Sequence, residues 1–394
     1  MDAEQLKAKV IREIDTLAPK LLSASHTIHE YAEMAFKEYK SAALLEDLLE
    51  EHGLAVERGI AGMETAFRGM YHGKGEGPTI AILGEYDALP HGHACGHNII
   101  GVAAVGAGIA LKNSLGDVPG NISVLGCPAE EGGGGKVYIA KEGYLNGVDA
   151  ALMTHPIAGR SMIGGPNLAI THFTIKYHGK AAHAASDPHE GINALDAMIL
   201  GFQNVSALRQ HVTEDVRMHG YIIDGGKAPN VIPDYTEAKY IVRAAKRVTL
   251  EKVAEKVRKC FAAGALATGA TLEFERGFSY SERIVNMTIA RKVQANLRKL
   301  GVEVEDEPIP VRGSTDFGDV SQLVPAVNAY IQIAPDSVAS HSNEMREAAK
   351  SPDGDKGLLN AAKAMAMTVV DLLTDPSILK AAWEEHERAM AQRR

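Results

Sequence analysis

One short segment of the chain, ALPHGHACGHN at residues 88–98, carries four side chains that bind soft metal ions. His91, His93, Cys95 and His97 stand at every second position of this segment. Neutral imidazole and thiolate suit zinc and similar divalent transition metals better than magnesium or calcium. Taken alone, the segment is compatible with a metal site, a redox loop or a histidine-rich polar turn.

Other candidate ligands follow apolar segments that are typical of buried strands. These residues come after AILG, SVLG, AALM and AYIQIA, and they are Glu85, Asp87, Glu130, Glu131, His155 and His341. In an open α/β sheet, ligands bind beyond the carboxyl ends of the strands, so residues far apart in sequence meet at one edge. The sequence therefore predicts one site that combines these residues with the 88–98 segment.

Two adjacent carboxylates, Glu130 and Glu131, are followed directly by four glycines at 132–135. Neighbouring residues of an extended segment point to opposite sides, so the two carboxylates are expected to differ in role. One can bind a metal ion while the other takes a proton from a metal-activated water. A solvated acidic turn is the alternative. The glycines favour the catalytic interpretation because they indicate that some group approaches the backbone closely.

The segments around these residues alternate between strand and helix patterns, as in TIAILGEYDALP, NISVLGCP, GGKVYIAKEGYL and GVDAALMTHP. This order predicts parallel strands with helices on the faces of the sheet. From residue 170 the order changes to strand, helix, strand, strand, helix, strand, which is the split arrangement of a ferredoxin-like domain. We therefore expect a catalytic domain at 1–169 and 283–394, interrupted by a smaller domain at 170–282.

Length and composition restrict the class of protein. At 394 residues the chain exceeds what one hydrophobic core usually serves. The formal net charge of −9 argues against nucleic-acid binding, which depends on lysine and arginine to neutralise phosphates. The start, MDAEQLKAKVIREID, lacks the apolar stretch of a signal peptide or membrane helix, and the three cysteines lie far apart. We expect a cytoplasmic protein with neither nucleic-acid nor membrane partners.

Motifs spread over nearly the whole chain resemble those of the aminoacylase/carboxypeptidase family of di-metal peptidases. The likeness is strongest to its amidohydrolase branch, which includes aminobenzoyl-glutamate hydrolases and dipeptidases with a cysteine in the metal site. The motifs are HEYAEMAFKEYKSA, EYDALPHGHACGHN, PAEEGGGGK, THP, HGKAAHAASDPHEGINALDA, NVIPD, STDFGDVS and HSNEMREAA. The resemblance implies an α/β fold with a zinc-peptidase-like mixed sheet flanked by helices. It also implies an inserted ferredoxin-like α+β domain that acts as a lid and in homodimer formation.

The resemblance assigns roles to individual residues of this sequence. It implies two divalent metal ions per subunit, with Zn²⁺ favoured by the thiolate over Mn²⁺. The implied ligands are Cys95, His97, Glu131, His155 and His341. Glu130 resembles the general base, and Asp87 resembles the acid that orients a ligand. In the smaller domain, His183 resembles a histidine that stabilises the oxyanion in the active site of the partner subunit, and Asn230 is similarly placed for substrate binding.

Three residues of the same motifs receive no ligand role. Many relatives have a histidine ligand where this chain has Glu85, which is consistent with Cys95 replacing the lost ligand. Because the other coordination positions are supplied by residues elsewhere, His91 and His93 become loop residues or residues that support the ligands.

The predicted activity is hydrolysis of an amide bond in an N-acyl amino acid, an aminobenzoyl-glutamate-like amide or a dipeptide. A metal-activated water is expected to attack the carbonyl, with Glu130 as general base. One alternative is a non-catalytic binding or regulatory protein that retains the metal site. Another is a nucleotide-binding protein that uses GGGGK, although Val137 stands where a P-loop needs Ser or Thr. Arg243, Arg283 and Arg312 are candidates for binding a substrate carboxylate.

Overall fold

The structure is a computed structural model that describes residues 2–310 and 313–393, and these form two compact units. The large unit comprises residues 2–166, 283–310 and 315–393. The inserted unit comprises residues 167–282 together with 313 and 314. Arg312, one of the candidates for carboxylate binding, lies outside the described residues.

Strands and helices alternate along much of the described chain. The strands are β1 (Ala55–Arg58), β2 (Phe67–His72), β3 (Thr79–Glu85), β4 (Asn121–Cys127), β5 (Ala150–Ala158), β6 (Met162–Ile163), β7 (Ala169–His178), β8 (Arg217–Asp224), β9 (Tyr235–Ala244), β10 (Thr271–Tyr280) and β11 (Ala326–Ala334). The helices are α1 (Ala3–Tyr31), α2 (Tyr39–Glu51), α3 (His97–Ser114), α4 (Gly135–Lys141), α5 (Ala194–Leu208), α6 (Arg247–Thr268), α7 (Met287–Lys299), α8 (Phe317–Ser321), α9 (Asn343–Ala348), α10 (Pro352–Thr374) and α11 (Pro376–Ala391).

The large unit is built on a seven-stranded sheet in the order β1-β2-β4-β3-β5-β11-β6. The central strands β4, β3, β5 and β11 are parallel, whereas β1, β2 and β6 pair antiparallel. Strand β3 is buried from Ile80 to Glu85, as expected for a strand covered on both faces. The fold is therefore α/β with a mixed sheet, as the resemblance implies, and its central strands are parallel, as the sequence pattern predicts.

Small residues let helix α3 approach this sheet closely. A Cβ atom on Gly108 would lie 2.3 Å from Val124 Cγ2, and a Cβ on Gly101 would lie 2.9 Å from the carbonyl oxygen of Glu85. Helices α1 and α10 also pack against α3, and α10 contacts β5 and β11 of the sheet as well. Helix α10 is long and apolar enough to cross a membrane, but 72% of its apolar window is buried in the protein. We therefore interpret α10 as a core helix.

The inserted unit is a four-stranded antiparallel sheet in the order β10-β7-β9-β8, with α5 and α6 packed against it. Its chain order is β7, α5, β8, β9, α6, β10, which is the ferredoxin-like arrangement that the sequence predicts. Phe173, Tyr177, Tyr240 and Phe261 form part of a separate hydrophobic core. This unit therefore has a core of its own.

The stability of the inserted unit is expected to depend on pH through His172 on β7. The ring of His172 lies 3.9 Å from the Phe278 ring between centroids, and burial, with smaller effects of Arg243 and His219, lowers the pKa of His172 to about 4. Since the usual pKa is 6.5, the unfolded chain binds more protons between pH 4 and 6.5. The contribution of neutral His172 to stability is therefore complete above pH 6.5 and is lost as the pH falls towards 4.

We expect the substitution His172→Phe to reduce the loss of stability in acid. Between pH 7 and pH 5, the free energy of unfolding should fall by about 1–2 kcal/mol less in the variant than in the wild type, a figure reduced to allow for partial exposure. Urea unfolding at both pH values measures this difference. The control is His189→Phe, since the side chain of His189 is 74% exposed. If the free energy of unfolding falls between pH 7 and pH 5 by as much in His172→Phe as in the wild type, the assignment is contradicted.

Candidate metal centre

The predicted ligands converge in the large unit, beyond the carboxyl ends of its parallel strands. One ligand atom from each of Cys95, His97 and His155 lies within 4.8 Å of the others. The same holds for Cys95, Glu131 and His341. The five residues thus form two adjacent ligand groups that share the sulfur of Cys95.

Local backbone structure brings the first two ligands to this edge. Gly96 separates Cys95 from His97, has a φ of 75° and is the N-cap residue of α3. A Cβ on Gly96 would lie 2.5 Å from Pro156 Cγ. A glycine is therefore required at this turn by both its conformation and its space.

The other ligands come from strand ends that are distant in sequence. His155 lies on β5, and Glu131 lies in the turn after β4. His341 follows β11, has a φ of 61°, and donates its backbone N–H to the carbonyl oxygen of Ala94 at 3.2 Å. A non-glycine residue in the left-handed region is uncommon and is found often at functional sites. The backbone hydrogen bond holds His341 against the loop that carries Cys95.

Distances and unpaired atoms in this cluster fit bound divalent ions. Cys95 Sγ lies 3.5 Å from His155 Nε2, and His341 Nε2 lies 3.4 Å from Glu131 Oε1. Zinc–nitrogen and zinc–sulfur bond lengths place two ligands of one tetrahedral ion about 3.5 Å apart. Within the described residues, His97 Nε2 and Glu131 Oε1 are buried without a hydrogen-bond partner, which is rare for buried polar atoms. The donor set and its geometry therefore fit a pair of zinc-like ions.

Asp87 contacts the candidate ligand His97. Its Oδ1 lies 2.9 Å from His97 Nδ1, and its Oδ2 accepts the backbone N–H of Glu131 at 2.9 Å. Burial raises the pKa of the Asp87 carboxyl, but His97, the backbone N–H of Glu131 and the Lys136 charge together lower it, and the net pKa is below its usual value. An anionic Asp87 accepts the Nδ1–H of His97 and leaves Nε2 as the free ligand nitrogen.

We expect Asp87→Ala to weaken metal binding by about 10–100-fold, because a carboxylate behind a ligating histidine typically contributes that much to affinity. Competition with a chromogenic chelator measures the dissociation constant. The matched control is Asp117→Ala, since Asp117 is an exposed partner of Lys74 on the surface. Equal affinities of Asp87→Ala and the wild type would contradict this role.

The protonation of the other ligands is set mainly by burial. Burial lowers the pKa of His155 to about 4, so its imidazole is neutral at physiological pH, and Nδ1 lies 2.5 Å from the carbonyl oxygen of Pro156. This leaves Nε2 of His155 as the nitrogen available to a metal ion. Burial raises the pKa of the Cys95 thiol to about 12. A metal ion that binds Cys95 must therefore displace its proton.

Glu130 lies beside the ligand groups. Its carboxylate clusters within 4.8 Å with ligand atoms of His97 and Glu131. Burial and the charges of Glu85 and Glu131 raise the pKa of Glu130 well above its usual value. A carboxylate with a raised pKa is suited to take a proton and return it later.

The turn that carries Glu130 is held by Glu38, which sequence reasoning missed although it lies in the motif HEYAEMAFKEYKSA. Glu38 is fully buried and accepts hydrogen bonds from the backbone N–H groups of Phe36 and Ala129 and from the Thr65 hydroxyl. Ala129 has a φ of 60°, another left-handed residue that is not glycine. Glu38 thus ties the N-terminal motif to the residue that precedes Glu130.

The glycines at 132–135 are approached closely by the protein itself. A Cβ on Gly133 would lie 2.1 Å from Cε2 of the Phe36 ring. A Cβ on Gly135 would lie 2.2 Å from the carbonyl oxygen of Pro128. The close approach that the sequence predicts is therefore made by protein atoms, and it fixes the path of the turn after Glu131.

Lys136, directly after these glycines, is fully buried among carboxylates. Its Nζ lies 2.5 Å from Glu85 Oε1 and 2.6 Å from Asp316 Oδ1, and its backbone N–H donates to Asp316 Oδ2 at 2.9 Å. Burial raises the pKa of Glu85, but Lys136, His97 and His155 together lower it, and the net pKa is below its usual value. Because Lys136 is held in these ion pairs, it is not available to bind a phosphate, and this argues against the nucleotide-binding alternative.

His91 and His93 support the ligand loop. His91 Nε2 lies 2.9 Å from the carbonyl oxygen of His341. His93 is buried, and its Nε2 lies 3.1 Å from the carbonyl oxygen of Ile28. Burial lowers the pKa of His93 to about 3, so this imidazole is neutral. Both histidines contact backbone carbonyls, and neither belongs to the two ligand groups that share Cys95.

His183 and Asn230 are neighbours within the inserted unit. His183 pairs with Val231 in an isolated bridge, and Ala184 donates its N–H to the carbonyl oxygen of Asn230 at 3.0 Å. His183 is exposed, and its Nδ1 accepts the backbone N–H of Ala185 and of the residue that follows it. The ring proton is therefore on Nε2, which can donate a hydrogen bond.

The two described arginine candidates differ in what they contact. Arg283 is fully buried in the large unit and donates to the carbonyl oxygen of Gly165 and to the Tyr330 hydroxyl. Arg243 is half-buried and donates to Ser314 Oγ at 2.7 Å in the inserted unit. Arg283 thus supports the structure of the large unit, and Arg243 is the better candidate for a substrate carboxylate.

Comparison with known proteins gives concordant matches. Residues 169–268 match the family model described as the M20 peptidase dimerisation domain. Xaa-Arg dipeptidase of Mus musculus is 37% identical over 98% of this chain and 93% of its own length. A p-aminobenzoyl-glutamate hydrolase chain of Escherichia coli is 31% identical over 92% of this chain and 90% of its own length.

A solved structure has the same fold. It is a dinuclear metal binding peptidase of the M20 family from Bacillus subtilis, which aligns with a TM-score of 0.70 at 21% identity, over 91% of this chain and 99% of the other. The sequence relatives extend over almost the whole chain at more than 30% identity. This chain therefore belongs to the M20 family of peptidases.

Proposed function

We propose that this protein is a di-metal hydrolase that cleaves the amide bond of a dipeptide or a similar small amide. The observation that carries the proposal is the pair of ligand groups joined at Cys95, with Glu130 directly beside them. Two nearby divalent ions and a carboxylate base are the parts that metal-assisted amide hydrolysis requires. The names of the relatives, a dipeptidase and an aminobenzoyl-glutamate hydrolase, support the same reaction class.

The five ligands would hold two ions, one with Cys95, His97 and His155 and the other with Cys95, Glu131 and His341. Bound divalent ions would supply an acidified water and polarise the scissile carbonyl. Zn²⁺ fits the thiolate and imidazole donors, with Mn²⁺ as the alternative.

Glu130 would act as general base and then as general acid. Its carboxylate takes a proton from the attacking water and delivers it to the leaving amine. The raised pKa of Glu130 favours retention of the proton between these two steps. Asp87 would accept the Nδ1–H of His97 and so keep the Nε2 lone pair of His97 available to the metal ion.

The inserted unit would form the homodimer, because residues 169–268 match a dimerisation domain. It would also act as the lid, as the family resemblance implies. The Nε2–H of His183 would stabilise the oxyanion in the active site of the other subunit, and Asn230 beside it would bind substrate. A cytoplasmic location stays a prediction, which the three free cysteines favour.

A substrate panel tests the proposal. Purified protein is incubated with Xaa-Arg and Xaa-Lys dipeptides, N-acyl amino acids and aminobenzoyl-glutamate, and the products are identified by mass spectrometry. We expect hydrolysis of at least one class, its loss with a chelator, and its recovery on addition of Zn²⁺ or Mn²⁺. Two bound ions per subunit without hydrolysis of any substrate class would favour the non-catalytic alternative. The presence of Glu130 beside the ligand groups argues against that alternative.

A further inference from the structure

Three carboxylates next to the metal ligands form a cluster of their own, here called the acid cluster. Oxygen atoms of Glu85, Glu130 and Asp316 lie within 4.8 Å of one another. Oxygen ligands at this spacing suit hard divalent cations such as Mn²⁺ and Mg²⁺. The acid cluster would thus be attractive to a further divalent ion.

The Lys136 side chain already points into the acid cluster. Its Nζ lies 2.5 Å from Glu85 Oε1 and 2.6 Å from Asp316 Oδ1, and the side chain is fully buried. A buried ammonium needs anionic partners, and here it has two. The backbone N–H of Lys136 also donates to Asp316 Oδ2, which fixes the lysine and Asp316 relative to each other.

The acid cluster borders on the ligand groups at two points. The second oxygen of Glu85, Oε2, lies 3.4 Å from His97 Nε2, the nitrogen that would bind a metal ion. Glu130 belongs both to the acid cluster and to the cluster with His97 and Glu131. An additional ion in the acid cluster would therefore bind the Glu130 carboxylate and compete with the proton that this base must take.

We propose that the Lys136 ammonium occupies the cation position of the acid cluster and excludes a third divalent ion from it, so that Glu130 stays free of metal. This inference rests on the proposed function, because it assigns Lys136 as a positioning residue for the base Glu130. Unlike a dissolved ion, the ammonium is covalently attached and does not exchange with metal ions in solution.

The variant Lys136→Met tests this role, because methionine is similar in length and carries no charge. The full-length variant and wild type are equilibrated with Mn²⁺, separated from free ions by gel filtration and assayed by plasma mass spectrometry. We expect two ions per subunit in the wild type and three in Lys136→Met, with magnetic coupling of the added Mn²⁺ visible by electron paramagnetic resonance. The kcat should fall at least tenfold.

Two further variants separate metal exclusion from a general structural effect. Lys136→Met combined with Asp316→Asn removes one carboxylate together with the ammonium, and we expect it to return to two ions per subunit. Lys74→Met, at an exposed lysine paired with Asp117, should keep two ions and full activity. If Lys136→Met folds poorly, Mn²⁺ should raise its Tm by more than it raises that of the wild type, because the ion replaces the ammonium.

The outcomes distinguish this inference from the proposed function. Two ions in wild type and also two in Lys136→Met would overturn the role of Lys136 and leave the proposed function intact. Failure of Mn²⁺ to stabilise an unstable Lys136→Met would overturn it as well. A wild-type protein that binds fewer than two ions or hydrolyses no substrate would instead contradict the proposed function.

Discussion

Substitution of Glu130 by glutamine is expected to lower kcat by about 10²–10⁴-fold, the usual contribution of general acid–base catalysis. The amide keeps the size and shape of the side chain, but it replaces one acceptor oxygen by an NH₂ donor and cannot take a proton from water. Metal content should stay near two ions per subunit, because Glu130 is absent from both ligand groups around Cys95. Steady-state kinetics and metal analysis of the same sample measure both quantities.

The adjacent Glu131→Gln variant is the matched control, since it makes the same chemical change one residue away. Glu131 belongs to the ligand group with Cys95 and His341, so this variant is expected to lose metal first and activity in consequence. The two variants should therefore differ in metal content although both lose activity. Full activity of Glu130→Gln would falsify the assignment of the base.

Substitution of Cys95 by alanine is expected to affect both metal positions at once. The sulfur of Cys95 is common to the two ligand groups, so its removal leaves each group with two ligands. Loss of a residue that merely supports a ligand costs about 10–100-fold in affinity, and loss of a shared ligand should cost at least about 100-fold. Metal content should fall from two ions to less than one per subunit after gel filtration.

A second cysteine provides the control for Cys95→Ala. Cys260 lies in α6 of the inserted unit and is a free, half-buried thiol. The Cys260→Ala variant should retain two ions and full activity. Two ions retained by Cys95→Ala would show that the thiol is not a ligand.

The positions of the candidate ligands could be predicted because they depend on topology. Glu131 follows β4, and the carboxyl ends of parallel strands meet at one edge of a sheet. His155 was expected directly after a strand, but β5 continues past it to Ala158. The structure accordingly places them beside Cys95. The strand and helix order of the inserted unit was predictable for a related reason, since each of its elements has a regular hydrophobic pattern.

The ion pairs of Lys136 could not be predicted from the sequence pattern. Lys136 and Asp316 are separated by 180 residues, and their contact depends on how α4 and the segment before α8 pack after folding. In sequence, GGGGK indicates at most a nucleotide-binding loop, and it predicts no partner for Lys136. The contact of Phe36 with Gly133 could not be predicted either. The glycines indicate that some group lies close to the backbone, but they do not identify that group as the Phe36 ring.

The two ligand groups also differ in how much of the chain must exist before each is complete. The group of Cys95, His97 and His155 is encoded within the first 155 residues, on segments that adjoin β3 and β5. The group that contains His341 requires a residue beyond the inserted unit and β11. During synthesis on the ribosome, the full ligand set of the first group emerges well before that of the second. A metal ion could therefore bind the first ligand group before the second group is complete.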